Sequence, residues 1–228
     1  MQYVFQGKVY DRAGIERTLG RARPKAPVLV TGTGLPRRNT SYVFPDEKSC
    51  NAWALKLDIA APFKIYQARL KQARALRTDR IDPIVEMQRR KLRRAEASLK
   101  DLSKRTGLPL HSKELFLKAT INAGILEGPV TDPARVYRGI GFTGANAFVV
   151  TPVPVLSLLS PSLNNSISSI RVVGTCGLFN GTWWTGTSVL FIGVPYTEEP
   201  DFTLVVPAFG PFANFNNLAS SIMVGPVT

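Results

Sequence analysis

The sequence is poor in the residues on which nucleophilic catalysis and metal binding most often rest, with two cysteines and one histidine among 228 residues. Cys50 and Cys176 lie far apart in the chain and cannot supply the disulfide framework by which small secreted proteins make up for a thin core. They read as buried thiols. With His111 as the one imidazole, a Cys-His or Ser-His pair has a single candidate base, and a zinc site has too few donors. Beside Leu-Pro-Leu, that histidine reads as a surface or capping residue. Long apolar runs are missing too: nothing approaches the ~18 consecutive apolar residues of a membrane span. The opening MQYVFQGKVYDRAG lacks a Sec-type leader pattern, so the expected protein is soluble and would leave a cell by lysis, in a particle or extracellular assembly, or by another non-Sec route.

Acidic residues are also scarce: 16 against 29 Lys and Arg, a net charge of +13. The imbalance is confined to one half, with 26 basic and 12 acidic residues in 1–130 and 3 against 4 in 131–228. A polyanion or acidic surface would feel the first half and ignore the second. A solvated helical surface would account for the same counts.

What is present in the first half is a mixture of strands and helices. Tyr3–Tyr10 alternates as a strand, Asp11 caps a helix ending at Gly20, and strands follow at Ala26–Val30 and Ser41–Phe44. Asp46 caps a helix over Glu47–Asp58, whose Cys50, Trp53, Ala54 and Leu57 recur at helical spacing. Residues 1–61 are thus expected to form a small α/β unit. The glycines of TGTG, Thr31–Gly34, are followed by Leu-Pro-Arg-Arg, which fits neither a P-loop nor a dinucleotide turn, and they read as a turn.

Residues 62–125 form a basic helical segment, with helices expected at Phe63–Thr78, Pro83–Lys104 and, after Ser112, Lys113–Ala123. Val85, Gln88, Leu92, Ala95, Leu99 and Leu102 mark a seam for another helix, as a hairpin within the chain or a coiled coil between chains. The run Arg89, Arg90, Lys91, Arg93 and Arg94 could neutralise phosphates or anchor on an acidic protein surface. Gly128, Pro129 and Pro133 make 126–134 a linker.

Beyond it the composition turns to short apolar strands, and two elements repeat in order. Tyr137-Arg-Gly-Ile-Gly-Phe142-Thr-Gly144 matches Phe179-Asn-Gly-Thr-Trp-Trp184-Thr-Gly186, and Asn164-Asn165-Ser-Ile-Ser168-Ser169 matches Asn216-Asn217-Leu-Ala-Ser220-Ser221. This doubled pattern resembles the βγ-crystallin family, in which two Greek-key motifs make one wedge-shaped domain. Residues 135–228 are therefore expected to be an all-β Greek-key sandwich, and the fold class α+β multidomain. The resemblance further implies calcium sites at Asn164, Asn165, Ser166 and Ser168, and at Asn216, Asn217 and Ser220. Neither loop nor hairpin brings a carboxylate, so the implied binding is weak, roughly 10⁻⁴–10⁻³ M or worse. Asn and Ser acting only as turn caps is the other reading.

Together these features suggest a non-enzymatic structural or interaction protein, in which a crystallin-like module is presented by a basic half that docks or assembles, as in a virion, appendage or coat. A proteinase inhibitor or toxin of crystallin fold is an alternative from another class, although such proteins are usually small and disulfide-bonded. A polyanion or nucleic-acid binder acting through residues 64–105 is a third.

Overall fold

The structure, a computed structural model of the full chain, describes residues 1–37, 39–57, 60–75, 90, 97–110, 112–122, 134–149, 152–156, 163–205 and 218–225. The chain opens with a hairpin, β1 (Gln2–Phe5) and β2 (Lys8–Tyr10), where the alternation alone suggested one strand. Gln6 and Gly7 both take positive φ, 48° and 78°, which is the two-residue turn that matches the twist of antiparallel strands. Helix α1 (Arg12–Ala22) follows. Asp11 caps it by accepting from the Gly14 amide at 2.6 Å, and Arg23 closes it in the left-handed conformation. Then come β3 (Val28–Thr31), β4 (Thr40–Phe44) and α2 (Glu47–Ala54), the last capped by Asp46 through the Ser49 amide.

Helix α3 (Ala60–Ala75) starts about three residues before its expected bound, and residues 76–78 of the expected helix lie outside the described residues. In the remaining basic segment the described helical residues are 90, 97–106 and α4 (Lys113–Asn122). Of the expected seam, Leu99 is buried and Leu102 half-buried, while Val85, Gln88, Leu92 and Ala95 lie outside the described residues.

The second half supplies β5 (Ala134–Gly139), β6 (Thr143–Val149), β7 (Ser169–Phe179), β8 (Ser188–Glu199) and β9 (Ser221–Val224). β7 pairs with β5 over Ser169–Val172 and with β9 over Cys176–Phe179, and β8 runs along its other side throughout. A register shift at Val173/Gly174, with Gly174 at φ 82°, divides this long pair into two segments. Around the first segment the order is β6-β5-β7-β8. Around the second, β8, β7 and β9 lie side by side, with Val153 bridged to Ile222 beyond.

Each group of strands therefore borrows from the other motif. The residues after the first hairpin reach β9 through Val153, and the end of β8, Tyr196–Glu199, lies against the start of β7. The placement of each motif's fourth strand beside its first is the Greek-key arrangement.

The two halves of the chain share one sheet. β3 lies parallel to β8, with Val28 opposite Ser188 and Thr31 opposite Phe191, and the order continues β3-β4-β1-β2. β3, from residues 1–61, and β8, from residues 135–228, are thus hydrogen-bonded neighbours. Alternate residues feed two cores on opposite faces. Leu29, Val43, Val189, Phe191, Ile170, Val172 and Ile222 join one; Val28, Val30, Leu190, Ile192, Phe179 and Met223 join the other, under Cys50, Ala54, Phe63, Tyr66 and Leu70 of α2 and α3.

Gly177 admits this layer. A Cβ there would overlap the Tyr66 hydroxyl. Burying a large apolar side chain contributes about 1.5–3 kcal/mol. Phe179, Leu190, Ile192 and Met223 thus share one apolar core with residues of α2 and α3.

Candidate functional site

The hairpins and the later Asn/Ser loops are held together by two matching serine clasps. In the first, the Ser169 hydroxyl donates to the Gly139 carbonyl at 2.7 Å and accepts from the Phe142 amide at 3.1 Å. In the second, the Ser221 hydroxyl donates to the Gly181 carbonyl at 2.6 Å and accepts from the Trp184 amide at 3.0 Å. The folded-over turns match as well: Phe142 and Trp184 sit at φ 64° and 57°, Gly144 and Gly186 at 75° and 79°. At Gly139 and Gly181 an added Cβ would overlap the hydroxyls of Thr143 and Thr185. Tyr137 meets Phe142 edge-on at 5.5 Å, and Trp184 is buried with its indole N–H on the Ile222 carbonyl at 2.9 Å.

The loops repeat the match. The Ser168 amide donates to the Tyr137 carbonyl at 2.9 Å and the Ser220 amide to the Phe179 carbonyl at 2.8 Å. Two Greek keys with exchanged third strands and duplicated hairpin clasps decide the assignment. The described strands of residues 134–225 have a βγ-crystallin-like Greek-key arrangement.

Comparison with solved structures finds matches of that kind at probability 1.00. A βγ-crystallin from an archaeon is 21% identical, with 41% of this chain and 98% of that chain covered and a TM-score of 0.33. Spherulin 3a from Physarum polycephalum is 22% identical over 45% and 90% of the two chains, with a TM-score of 0.33. A βγ-crystallin from Ciona intestinalis is 20% identical over 40% and 98%, with a TM-score of 0.32. No protein-family model matches the chain, and no curated protein sequence matches it.

In this crystallin-like domain the expected calcium residues are distributed as follows. Asn164 and Ser166 are half-buried and Asn165 is exposed at φ 50°. The two loops touch: the Asn165 amide donates to the Ala219 carbonyl at 2.9 Å, and its side-chain oxygen accepts from the Ser220 hydroxyl at 3.2 Å. Ser168 is buried and its carbonyl accepts from the Phe202 amide at 3.0 Å. Asn216 and Asn217 lie outside the described residues. The structure therefore brings together Asn165 and Ser220, both neutral oxygen donors of the kind a hard cation takes. Among the described residues no group of three or more His, Cys, Asp or Glu is placed to hold a metal.

Of the basic run, Arg90 is helical and exposed; Arg89, Lys91, Arg93 and Arg94 lie outside the described residues, as does His111. Burial, with Glu47 and Asp46 adding to it, pushes the Cys50 thiol up to about 12, so it is protonated at neutral pH and a poor nucleophile. Cys176 is buried as well. No helix among the described residues is long and apolar enough to cross a membrane.

Sequence reasoning missed the charged residues that join the halves. Arg135 donates to the Asn146 side chain at 2.8 Å and to the Leu110 carbonyl at 2.7 Å, fixing the turn before α4 to β5. Within the second half, Arg171 stacks over Phe142 at 4.1 Å and donates to the Tyr137 hydroxyl at 3.2 Å. Arg12 of α1 reaches the carbonyls of Thr203 and Leu204 at 2.6 and 3.2 Å. The segment Arg12 holds, a short helix over Phe202–Val205 and the turn before it, is tied to the first hairpin and the first Asn/Ser loop, since the Pro200 carbonyl accepts from Gly141 and the Phe202 amide donates to the Ser168 carbonyl. None of these contacts has a local sequence signal.

Glu199 sits at the root of that segment, accepting from the Asp201 amide at 3.1 Å. Burial, followed by the neighbouring charges of Asp201 and Glu198, outweighs this hydrogen bond and pushes its carboxyl up to about 7 from 4.5. The folded state thus holds a proton that the unfolded chain has released. Stability is expected to fall as pH rises from about 4.5 to about 7, by ~1–3 kcal/mol once partial exposure is allowed for. Urea melts across this range should show the decline, and Glu199→Gln should flatten it; an unchanged slope in that variant would place the titration elsewhere.

Proposed function

We propose that the chain is a non-enzymatic structural protein whose crystallin-like module is built rigidly onto a basic half that docks on, or assembles with, an acidic partner. The observation carrying this reading is the parallel pairing of β3 with β8, which makes the basic half and the neutral module parts of one sheet. The module is thereby held in a fixed relation to the basic half, as a scaffold role requires. The segregation of charge, 26 basic residues before 131 and 3 after, makes the first half the part that attracts an acidic partner.

A weak calcium response is a second reading, favoured by the meeting of Asn165 and Ser220 at 3.2 Å. Thermal melts of the full chain test both. Calcium at about ten times a millimolar dissociation constant should stabilise by about 1.4 kcal/mol, or roughly 3–6 °C, and chelator should reverse the shift. No rise would leave Asn165 and Ser220 as turn residues. In the same assay a short nucleic-acid duplex at about 0.15 M salt should leave the melt unchanged. A clear rise that collapses steeply as salt increases would replace the structural reading with polyanion binding.

A further inference from the structure

The cations of the basic half differ in what the fold does with them. Arg12 is paired with Glu16 at 3.1 Å, Arg74 with Glu47 at 2.9 Å and Arg105 with Asp101 at 2.7 Å, and Lys113 lies over the Tyr196 ring at 4.6 Å. Arg17, Arg21, Arg23 and Lys25 have no such duty: all four are exposed, and their side chains make no ion pair or hydrogen bond with another described residue. Arg17 and Arg21 lie one turn apart on α1 and share a face, and Arg23 and Lys25 continue the run into the turn before β3. No acidic residue occurs from Arg17 through Pro45. Arg23 adds a second observation. It closes α1 at φ 46°, the left-handed position that glycine fills without strain, and it stands exposed there. An exposed arginine kept at that cost points to a use for its side chain.

We propose that Arg17, Arg21, Arg23 and Lys25, at the end of α1, are the surface on which the basic half docks, and that they take a short acidic segment of another protein. This rests on the docking reading above and narrows it from a half of the chain to four residues. Charge complementarity selects an acidic occupant, and arginine suits a carboxylate because it can give it two parallel hydrogen bonds. The pattern of signs favours a short segment over a nucleic-acid duplex. Asp11 is exposed and Glu16 half-buried on the same helix, within about 15 Å of Arg21 along its axis. A continuous phosphate backbone crossing the cations would run over these acids as well, whereas a short segment would not. No aromatic residue occurs from Asp11 through Ser41, so stacked bases would find no platform.

The test is fluorescence anisotropy of a labelled polyglutamate peptide of about 15 residues, titrated with the full chain at about 0.15 M salt. Arg17→Gln, Arg21→Gln, Arg23→Gly and Lys25→Gln together should weaken binding about tenfold or more. Changing Arg89, Arg90, Lys91, Arg93 and Arg94 to Gln removes more charge and should weaken it less than about threefold. Arg23→Gly alone separates docking from folding: binding should weaken while the melting temperature holds or rises, because the left-handed strain is relieved. That variant decides the matter should the fourfold change fail to fold. Equal losses in the two multiple variants, or a loss confined to the 89–94 variant, would overturn the assignment to α1 and leave docking by the basic half standing. A parent chain that does not bind the peptide would overturn the docking reading itself, and this inference with it. Tighter binding of a labelled duplex of equal charge, lost in the same fourfold variant, would overturn the acidic segment in favour of a phosphate backbone.

Discussion

Gly32→Val is expected to lower the melting temperature of the whole chain by roughly 10 °C or more. Gly32 follows β3 at φ 133°, in backbone that side chains rarely adopt, and a Cβ there would overlap the carbonyl oxygen of Ile192 on β8. Backbone cannot swing aside as a side chain does. The same turn places the Gly34 amide on that carbonyl at 3.1 Å and the Thr33 hydroxyl on the Tyr196 carbonyl at 2.7 Å. Strain and displacement together should cost about 3–5 kcal/mol. Gly20 in α1 provides the opposite sign: nothing lies within 4 Å of a Cβ there, and Gly20→Ala should stabilise by about 0.5–1 kcal/mol. Calorimetry on both variants measures the contrast, and a Gly32→Val chain melting like the parent would show that the TGTG turn does not clasp β8.

The second large effect is expected at the serine clasps. Ser169→Ala and Ser221→Ala each leave one amide and one carbonyl of a folded hairpin without their hydroxyl partner. Unsatisfied groups cost about 1–3 kcal/mol when buried. The amide of Trp184 is buried and that of Phe142 only partly so. Ser221→Ala should therefore lose about 3 kcal/mol and Ser169→Ala about 2, read from urea midpoints with unchanged slopes. Losses below about 0.5 kcal/mol at both sites would remove the clasps from the account.

The clasps were legible in the sequence because they are built from short, repeated, local elements. Aromatic, glycine and serine positions recur at matched spacing, and each has one physical duty in a tight turn. The caps at Asp11 and Asp46 were legible for the same reason. What joins the halves was not, since Val28–Thr31 and Ser188–Phe191 lie far apart and nothing local names a strand's neighbour. A hint was available: the apolar run Val28-Leu29-Val30 is buried on both faces, as parallel interior strands are, whereas an edge strand of a small unit would alternate. The Gln6-Gly7 turn was hidden because glutamine seldom announces a positive φ.

At the candidate site the sequence named the loop residues but not their company. That Asn165 meets Ser220, and that Glu199 and Arg12 bear on the loop behind them, depends on the return of β8 beside the start of β7. A carboxylate such as Glu199 looks like any surface acid until burial raises it to about 7.

Native-state amide exchange on the full chain tests the shared sheet most directly. If β3 is a structural neighbour of β8, the amides of Val28–Thr31 should open only with those of β7 and β8, at the free energy of global unfolding, and destabilising Gly32 should lower both sets equally. Exchange of β3 and β4 at a much lower free energy, with β7 and β8 still protected, would mean that the two halves unfold separately and would contradict the continuous sheet.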